Sequence, residues 1–598
     1  MRIRHCSAFL LGLLAWLAPA QAQWPTDPAL NLALADLPGE QVLSKLATRA
    51  DGGAYVGWFD SSAGAYQVRL QRLLPDGSEA WTHGGLLVSA NPQSTSLVDW
   101  DLIADSTGHC VLVFTDIRDG GDLDVHAYRV APDGTQVWGA NGLQLSANSD
   151  YEPSPRVCET SDGNFAFTWA RLPAVVDGGI MLQRVTPAGV PLLAPGGLTL
   201  VSVPGEDPAF CSIVPGEAGS VILAWIRSIT TFSSPRHLRA CKFGPNGAPL
   251  WPVLNVYDAS SLPIAHWPQV QPDGQGGAVL AWHRALVSDF DVLVQRLSAG
   301  GVEQFAHNGI SVATTAGRGQ FDPTIAQLGG GELLIAFNER NSAQSQWGIR
   351  AQRITAAGAL AFGPDGLELA PLDGVYEGPP RSAAWNGDAI VLWHAEPTGQ
   401  FGVQRLLARR VSASGAFPWG PAPVEVSNAA STKYRMPTAI DCRGLVQVAW
   451  EDNRNGTPDV YAQALRADGQ LGAPISQWTD LGLGTAGVLG VPQLSAQGFA
   501  CPGTSVAFAL DAAKPGALTT LVVGSLRIDL PLLGGTLVPL PQLLIGGIAV
   551  DAVGHASYGL VWPAGIPSGS TLYLQYWLAD AAAAQGFASS NGLQLTMP

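Results

Sequence analysis

Eight aromatic residues recur along this chain at nearly constant spacing. Trp58, Phe114, Trp169, Trp225, Trp282, Phe337, Trp393 and Trp450 stand 55–57 residues apart. A second series follows in register: Arg72, Arg129, Arg184, Lys242, Arg296, Arg353, Arg410 and Ala464. Five residues after each of these lies a glycine, from Gly77 to Gly469. So regular a register means one structural unit used eight times, each copy burying its apolar face against the next.

Each unit carries four strand signals. The first precedes the aromatic anchor, often from a proline, as in Pro268 to Trp282. The second ends at the anchor, the third bears the Arg/Lys position, and the fourth is an alternating pair such as Leu86/Val88 or Leu143/Leu145. Alternation bounded by turn residues marks half-buried strands, and four-stranded repeats mark propeller blades. Seven outer pairs follow the eight anchors, and the missing one is predicted at the other end. Leu34 lies 24 residues before Trp58, as Leu145 lies before Trp169. The predicted fold is all-β: an eight-bladed β-propeller closed by an N-terminal strand, followed by a small C-terminal β-sandwich.

The first 22 residues read as a secretion signal: Arg2 and Arg4, an apolar run from Phe9 to Leu17, then Ala20-Gln21-Ala22. The expected organisation is a signal peptide over 1–22, the propeller over 23–472, a Gly-rich linker over 473–490 and the sandwich over 491–598. The location is secreted, extracellular or cell-surface. Cleavage removes two arginines and moves the formal charge from −16 to −18, which argues against nucleic acid as a partner. Six cysteines would remain, scattered and without a CxxC, open to disulfides or to buried thiols. Leu530 to Val550 is uncharged and long enough to cross a bilayer, but its prolines and Gly-Gly pairs suit strands and turns. No transmembrane segment is expected in the mature chain.

The stretch "VAWEDNRNGTPDVYAQALRADG" (Val448 to Gly469) and its counterpart beginning at Phe114 resemble tandem repeats of secreted bacterial proteins. The tail is similar to a C-terminal β module found at the ends of such proteins. These resemblances imply the fold and carry no function. "PDGSEAW" (Pro75 to Trp81) is similar to sialidase Asp boxes and to the tryptophan docking motifs of quinoprotein dehydrogenases, both structural turns.

Chemical motifs are scarce. Gly482-x-Gly484-x-x-Gly487 matches a dinucleotide fingerprint in letters, but strand-like "VPQLSAQG" follows where a helix is required. There is no HExxH and no GxSxG. No cofactor is expected. Calcium is the one candidate, at Asp116, Asp119, Asp122 and Asp124 and at Glu451, Asp452 and Asp459, although Asp–Arg pairing and turn capping explain these carboxylates more simply.

The variable loops share one face with a recurrent aromatic residue, and loops on a rigid scaffold are where function tends to reside. Tyr151, Trp267, Phe321, Tyr376 and Tyr434 are predicted to gather as stacking platforms around the axis, with Glu152, Asp322 and Glu377 accepting hydroxyl hydrogen bonds. These acids favour a neutral glycan or a basic protein patch as the partner. The function expected first is a secreted, non-catalytic propeller for ligand binding or surface interaction. The alternative is an extracellular propeller enzyme acting on polysaccharide, a lyase or hydrolase. An enzyme should gather His, Tyr, Arg or carboxylates from different blades at the channel mouth, in departure from the repeat. No catalytic residue or metal ligand is assigned.

Overall fold

The computed structural model describes residues 23–93, 99–118, 122–173, 178–229, 235–263, 267–285, 290–315, 317–474, 476–567 and 569–597. Among them there is no α-helix, and the chain is a succession of small antiparallel sheets of the β-propeller kind.

The first sheet shows the unit: Gln41–Thr48, Ala54–Asp60, Tyr66–Leu73 and Leu86–Gln93, paired in chain order. The same order recurs up to the sheet built on Thr438–Ile440, Val446–Asp452 and Asp459–Leu465. The outer strand of that sheet comes from the other end of the chain. Leu32–Ala35 pairs with Asp459–Leu465, with Leu32 opposite Ala462 and Ala33 opposite Tyr461. The first strand of each sheet neighbours the first strand of the next, and Gln41–Thr48 also neighbours Thr438–Ile440.

Every aromatic anchor lies in a second strand and is buried, none more than 2% exposed. Apolar clusters fill the gaps between consecutive sheets, and a further one joins Trp24, Leu34, Val56, Trp58, Leu445 and Val460 across the last sheet and the first. The Arg/Lys series pins the same junctions from one end. Arg129 pairs with Asp105 in its own sheet at 2.7 Å and donates to the Pro187 carbonyl of the next at 3.1 Å. Arg410 does the same with Asp388 at 2.7 Å and the Ala467 carbonyl at 3.0 Å. These cations therefore brace strands and turns.

After the repeats, two sheets share one buried cluster. One is built on Trp478–Gly482, Gly592–Thr596, Thr571–Ala579, Leu518–Gly524 and Leu543–Ala549; the other holds Gln493–Gln497, Ser505–Asp511 and Ala556–Val561. Trp478–Gly482 falls inside the span read as a linker, yet it pairs with Gly592–Thr596. The glycines after it concealed a strand whose Trp478 packs edge-on against Phe508. The apolar run from Leu530 to Val550 is divided among Arg527–Leu532, Gly535–Pro539 and Leu543–Ala549. Among the described residues no helix is long and apolar enough to cross a membrane. One disulfide, Cys442–Cys501, ties the last repeat to the tail; Cys110, Cys158, Cys211 and Cys241 are buried free thiols.

Candidate functional site

Fifteen residues before the eight anchors stand Leu43, Asp99, Ser154, Phe210, Trp267, Asp322, Gly378 and Arg435. Five of them hold left-handed backbone although none is glycine: Leu43 (φ 58°), Ser154 (56°), Phe210 (53°), Asp322 (49°) and Arg435 (44°). The ladder slips at this point, between Val42 and Lys45, Ala209 and Ser212, and Phe321 and Thr324. Such a conformation costs about 1–3 kcal/mol per residue and persists only where the surroundings enforce it. A bulge re-aims the side chains around it. Here it borders a cavity of about 400 Å³ lined by Leu43, Lys45, Asp99, Trp267, Arg381 and Arg435 among others. Five different sheets contribute these groups, so residues far apart in sequence meet where the first strands converge.

Charge is dense around this cavity. Asp99 lies between Lys45 at 2.8 Å and Arg156 at 2.6 Å. Burial pushes its pKa upward, but the two cations prevail and hold the carboxyl well below the usual range. Asp101 and Asp322 shift the other way. Burial outweighs Arg156 and Lys45 at Asp101, and outweighs Arg340 and Arg381 at Asp322. The carboxylates near the cavity are thus displaced in opposite directions, by cations at Asp99 and by burial at Asp101 and Asp322. The Arg156 guanidinium lies 4.2 Å from the centre of the Trp267 ring, and Phe210 meets that ring edge-on at 4.9 Å.

Of the five rings expected to gather, only Trp267 lines the cavity. Tyr151 and Tyr434 are half exposed, each 49%. Tyr376 is half-buried, edge-on to Trp347 at 5.5 Å. Phe321 is buried against Phe290, at 4.5 Å, and beneath the Arg340 guanidinium, so it offers no platform. The reason lies in the register. These rings precede their anchors by 18, 15, 16, 17 and 16 residues in chain order, and only Trp267 shares the offset of Asp99 and Arg435, which also line the cavity. Two of the three expected acceptors are likewise corrected. The Glu152 carboxylate is buried, accepting from the Trp169 indole N–H at 3.0 Å and from Asn148 at 2.9 Å. Glu377 is buried, and burial, helped by the Asp373 charge, pushes its pKa up to about 8. Asp322 remains half-buried beside the site. The signal that finds Asp99 and Arg435 is their offset from the anchors, fifteen residues as for Trp267, not their residue type.

Several of the calcium candidates have other partners. Asp116 pairs with Arg118 and Asp452 with Arg454, while Glu451 accepts the Leu43 amide at 2.7 Å; Asp119 lies outside the described residues. Among the described residues no three His, Cys, Asp or Glu side chains gather as a metal site. A second hollow, of about 300 Å³, lies at the junction with the tail, between Arg443, Leu445, Gln477 and Met597.

No family model matches the sequence, and no curated protein matches it. Solved structures align with it at low similarity. An ulvan lyase from a new polysaccharide lyase family is 9% identical with a TM-score of 0.40, over 76% of this chain and 96% of that one. A second polysaccharide lyase is 11% identical with a TM-score of 0.35, over 76% and 94%. An α-L-arabinanase of Penicillium chrysogenum is 10% identical with a TM-score of 0.30, over 74% and 98%. At such values the likeness carries no argument.

Proposed function

We propose that this chain is a secreted, eight-bladed β-propeller enzyme acting on extracellular polysaccharide, a lyase or hydrolase, with its site in the central cavity. The observation that carries the reading is the convergence of Lys45, Asp99, Arg381 and Arg435 from four sheets on one cavity. Scaffold residues in a repeat protein follow the repeat. At the offset that places Asp99 and Arg435, other copies carry Leu43, Ser154 and Gly378. Departure from the repeat at one shared place is what a site requires and packing does not. In this reading the cations offset negative charge developing on the substrate, and Asp322, beside the cavity rather than in its lining and with its proton retained to higher pH than usual, is the candidate donor.

The reading includes closure of the ring by Leu32–Ala35, a tail folded as a β-sandwich, removal of residues 1–22 and no bound cofactor. A second reading, a non-catalytic propeller binding glycan or protein, draws support from the half-exposed rings of Tyr151 and Tyr434. Incubating the mature chain with a polysaccharide panel separates the two, with reducing ends and unsaturated uronate absorbance as readouts. The enzyme reading predicts product from at least one polymer, lost in Asp322→Asn while binding persists. Binding without product from any polymer favours the second reading.

A further inference from the structure

The cavity has a sign. Its charged lining is Lys45, Arg381 and Arg435 against the single carboxylate of Asp99, within a chain whose formal charge is −16. Asp99 is already held by both Lys45 and Arg156. Arg435 has Glu451 at 3.7 Å, but Glu451 also accepts the Leu43 amide at 2.7 Å. Arg381 stands apart. It donates through Nη1 to the Pro380 carbonyl at 2.9 Å, and among the described residues no carboxylate lies within ion-pair distance of it. A guanidinium has five donors in a planar fork that fits a carboxylate or sulfate in two parallel hydrogen bonds. Burial works against its charge, with Asp322 alone partly offsetting that cost. A half-buried guanidinium left with one backbone bond in a cavity wall is built to receive an anion.

Resting on the cavity as the polysaccharide site, we propose that the substrate is an acidic polysaccharide, and that an anionic group on the sugar ring, a uronate carboxylate or a sulfate ester, docks on Arg381. The acids behind the expectation of a neutral glycan do not oppose this. Glu152 and Glu377 are buried and outside the cavity lining, and burial disfavours the charged form of Asp322 beside it. Trp267, held between Phe210 and Arg156, supplies an apolar wall beside the cations.

The test is binding by the full mature chain, followed by affinity electrophoresis and calorimetry. The probes are polygalacturonate, the same polymer after carboxyl reduction, and a sulfated polymer free of uronate. Preference for polygalacturonate over its reduced form by about tenfold or more assigns the carboxylate, and equivalent preference for the sulfated polymer assigns the ester. Arg381→Gln should lower affinity for the preferred acidic polymer about tenfold or more, with Arg381→Lys intermediate and both melting curves unchanged. Affinity for the reduced polymer equal to that for both acidic polymers, no binding to either acidic polymer, or an unaffected Arg381→Gln overturns the proposal. The enzyme reading fails separately: acidic polymer bound through Arg381 and never cleaved leaves this inference standing, whereas cleavage of a neutral polymer alone leaves only the enzyme reading.

Discussion

Trp24 lies on Gly77. The indole covers the glycine so closely that a Cβ built there would stand 2.7 Å from the ring, and the Trp24 amide donates to the Asp76 carbonyl at 2.9 Å. The same contact recurs between Trp138 and Gly189 and between Trp419 and Gly469, each ring seated on the glycine of the following sheet. Trp24 thus stands to the first sheet as Trp419 stands to the last, although it comes from the N-terminal end of the chain.

Gly77→Ala should therefore be costly twice over. Its φ of +88° is unfavourable for alanine, about 1 kcal/mol, and the added methyl must displace the Trp24 ring. Gly139→Ala is the control, with φ +85° and open space around it. A melting-temperature loss clearly larger for Gly77→Ala than for Gly139→Ala is expected; equal losses would show that the seat contributes nothing. Deleting residues 31–35 should strip the outer strand from the last sheet and cause aggregation.

Arg129 and Asp105 form a buried pair, with side chains 8% and 1% exposed. Removing one partner strands the other, so Arg129→Met should cost about 3–5 kcal/mol, while pairing it with Asp105→Asn should recover part of the loss. Burial opposes ionisation of Asp105, yet the Thr107, His109 and Arg129 contacts leave its folded pKa below the ordinary value of 3.8. The stabilisation is then present above the unfolded value and disappears as pH falls below it. Thermal melts of the single and the double variant from pH 7 to pH 3, beside the parent chain, check both the size and the sign.

The Cys442–Cys501 bridge closes a loop of 59 residues between the last repeat and the tail. Chain entropy alone assigns such a loop about 4 kcal/mol. Arg443, next to Cys442, lies over the Phe499 ring at 3.9 Å, so the bridge reinforces a packed junction. Cys442→Ser/Cys501→Ser should lower the melting temperature of the tail and expose Gln477 and Trp478, at its start, to protease, leaving the melt of the repeats nearly in place. A single unchanged transition would mean that packing alone holds the tail.

The repeat was legible because its anchors answer to packing, which recurs: Trp58 and Trp450 fill equivalent gaps and so keep equivalent positions. The N-terminal strand was legible from Leu32 and Leu34, whose alternation matches the other outer strands. The site was not, because it consists of what the repeat leaves free. Tyr376 and Trp267 look alike in sequence, but their offsets from the anchor are 17 and 15, and only the second meets the cavity. Arg381 gave no signal at all; its meaning comes from neighbours in other sheets. The strand at Trp478–Gly482 was hidden by glycines that a flat reading assigns to a linker.

His394 offers a test of the cavity wall by pH. It is 9% exposed, its ring space depends on Gly378, and a Cβ at that glycine would meet its Nε2 at 1.9 Å. Tyr376 is its aromatic neighbour, at 5.9 Å between ring centres. Burial, then the charges of Arg381 and Lys433, lower its pKa from 6.5 to about 4. The folded value lies below the unfolded one, so the unfolded chain takes up the proton first as pH falls. This contribution to stability is complete above 6.5 and declines toward pH 4, by a total on the order of 3 kcal/mol. Glu377 runs the opposite way: its pKa, raised from 4.5 to about 8, leaves stability complete below 4.5 and lost as pH rises through 8. His394→Gln should therefore flatten the acid limb of the melting-temperature profile between pH 6.5 and 4, and Glu377→Gln the limb between pH 4.5 and 8. Each variant should leave the other limb in place. An acid limb unchanged in His394→Gln would mean that the imidazole reaches its proton in the folded chain, and that the wall of the cavity behind Arg381 is wet.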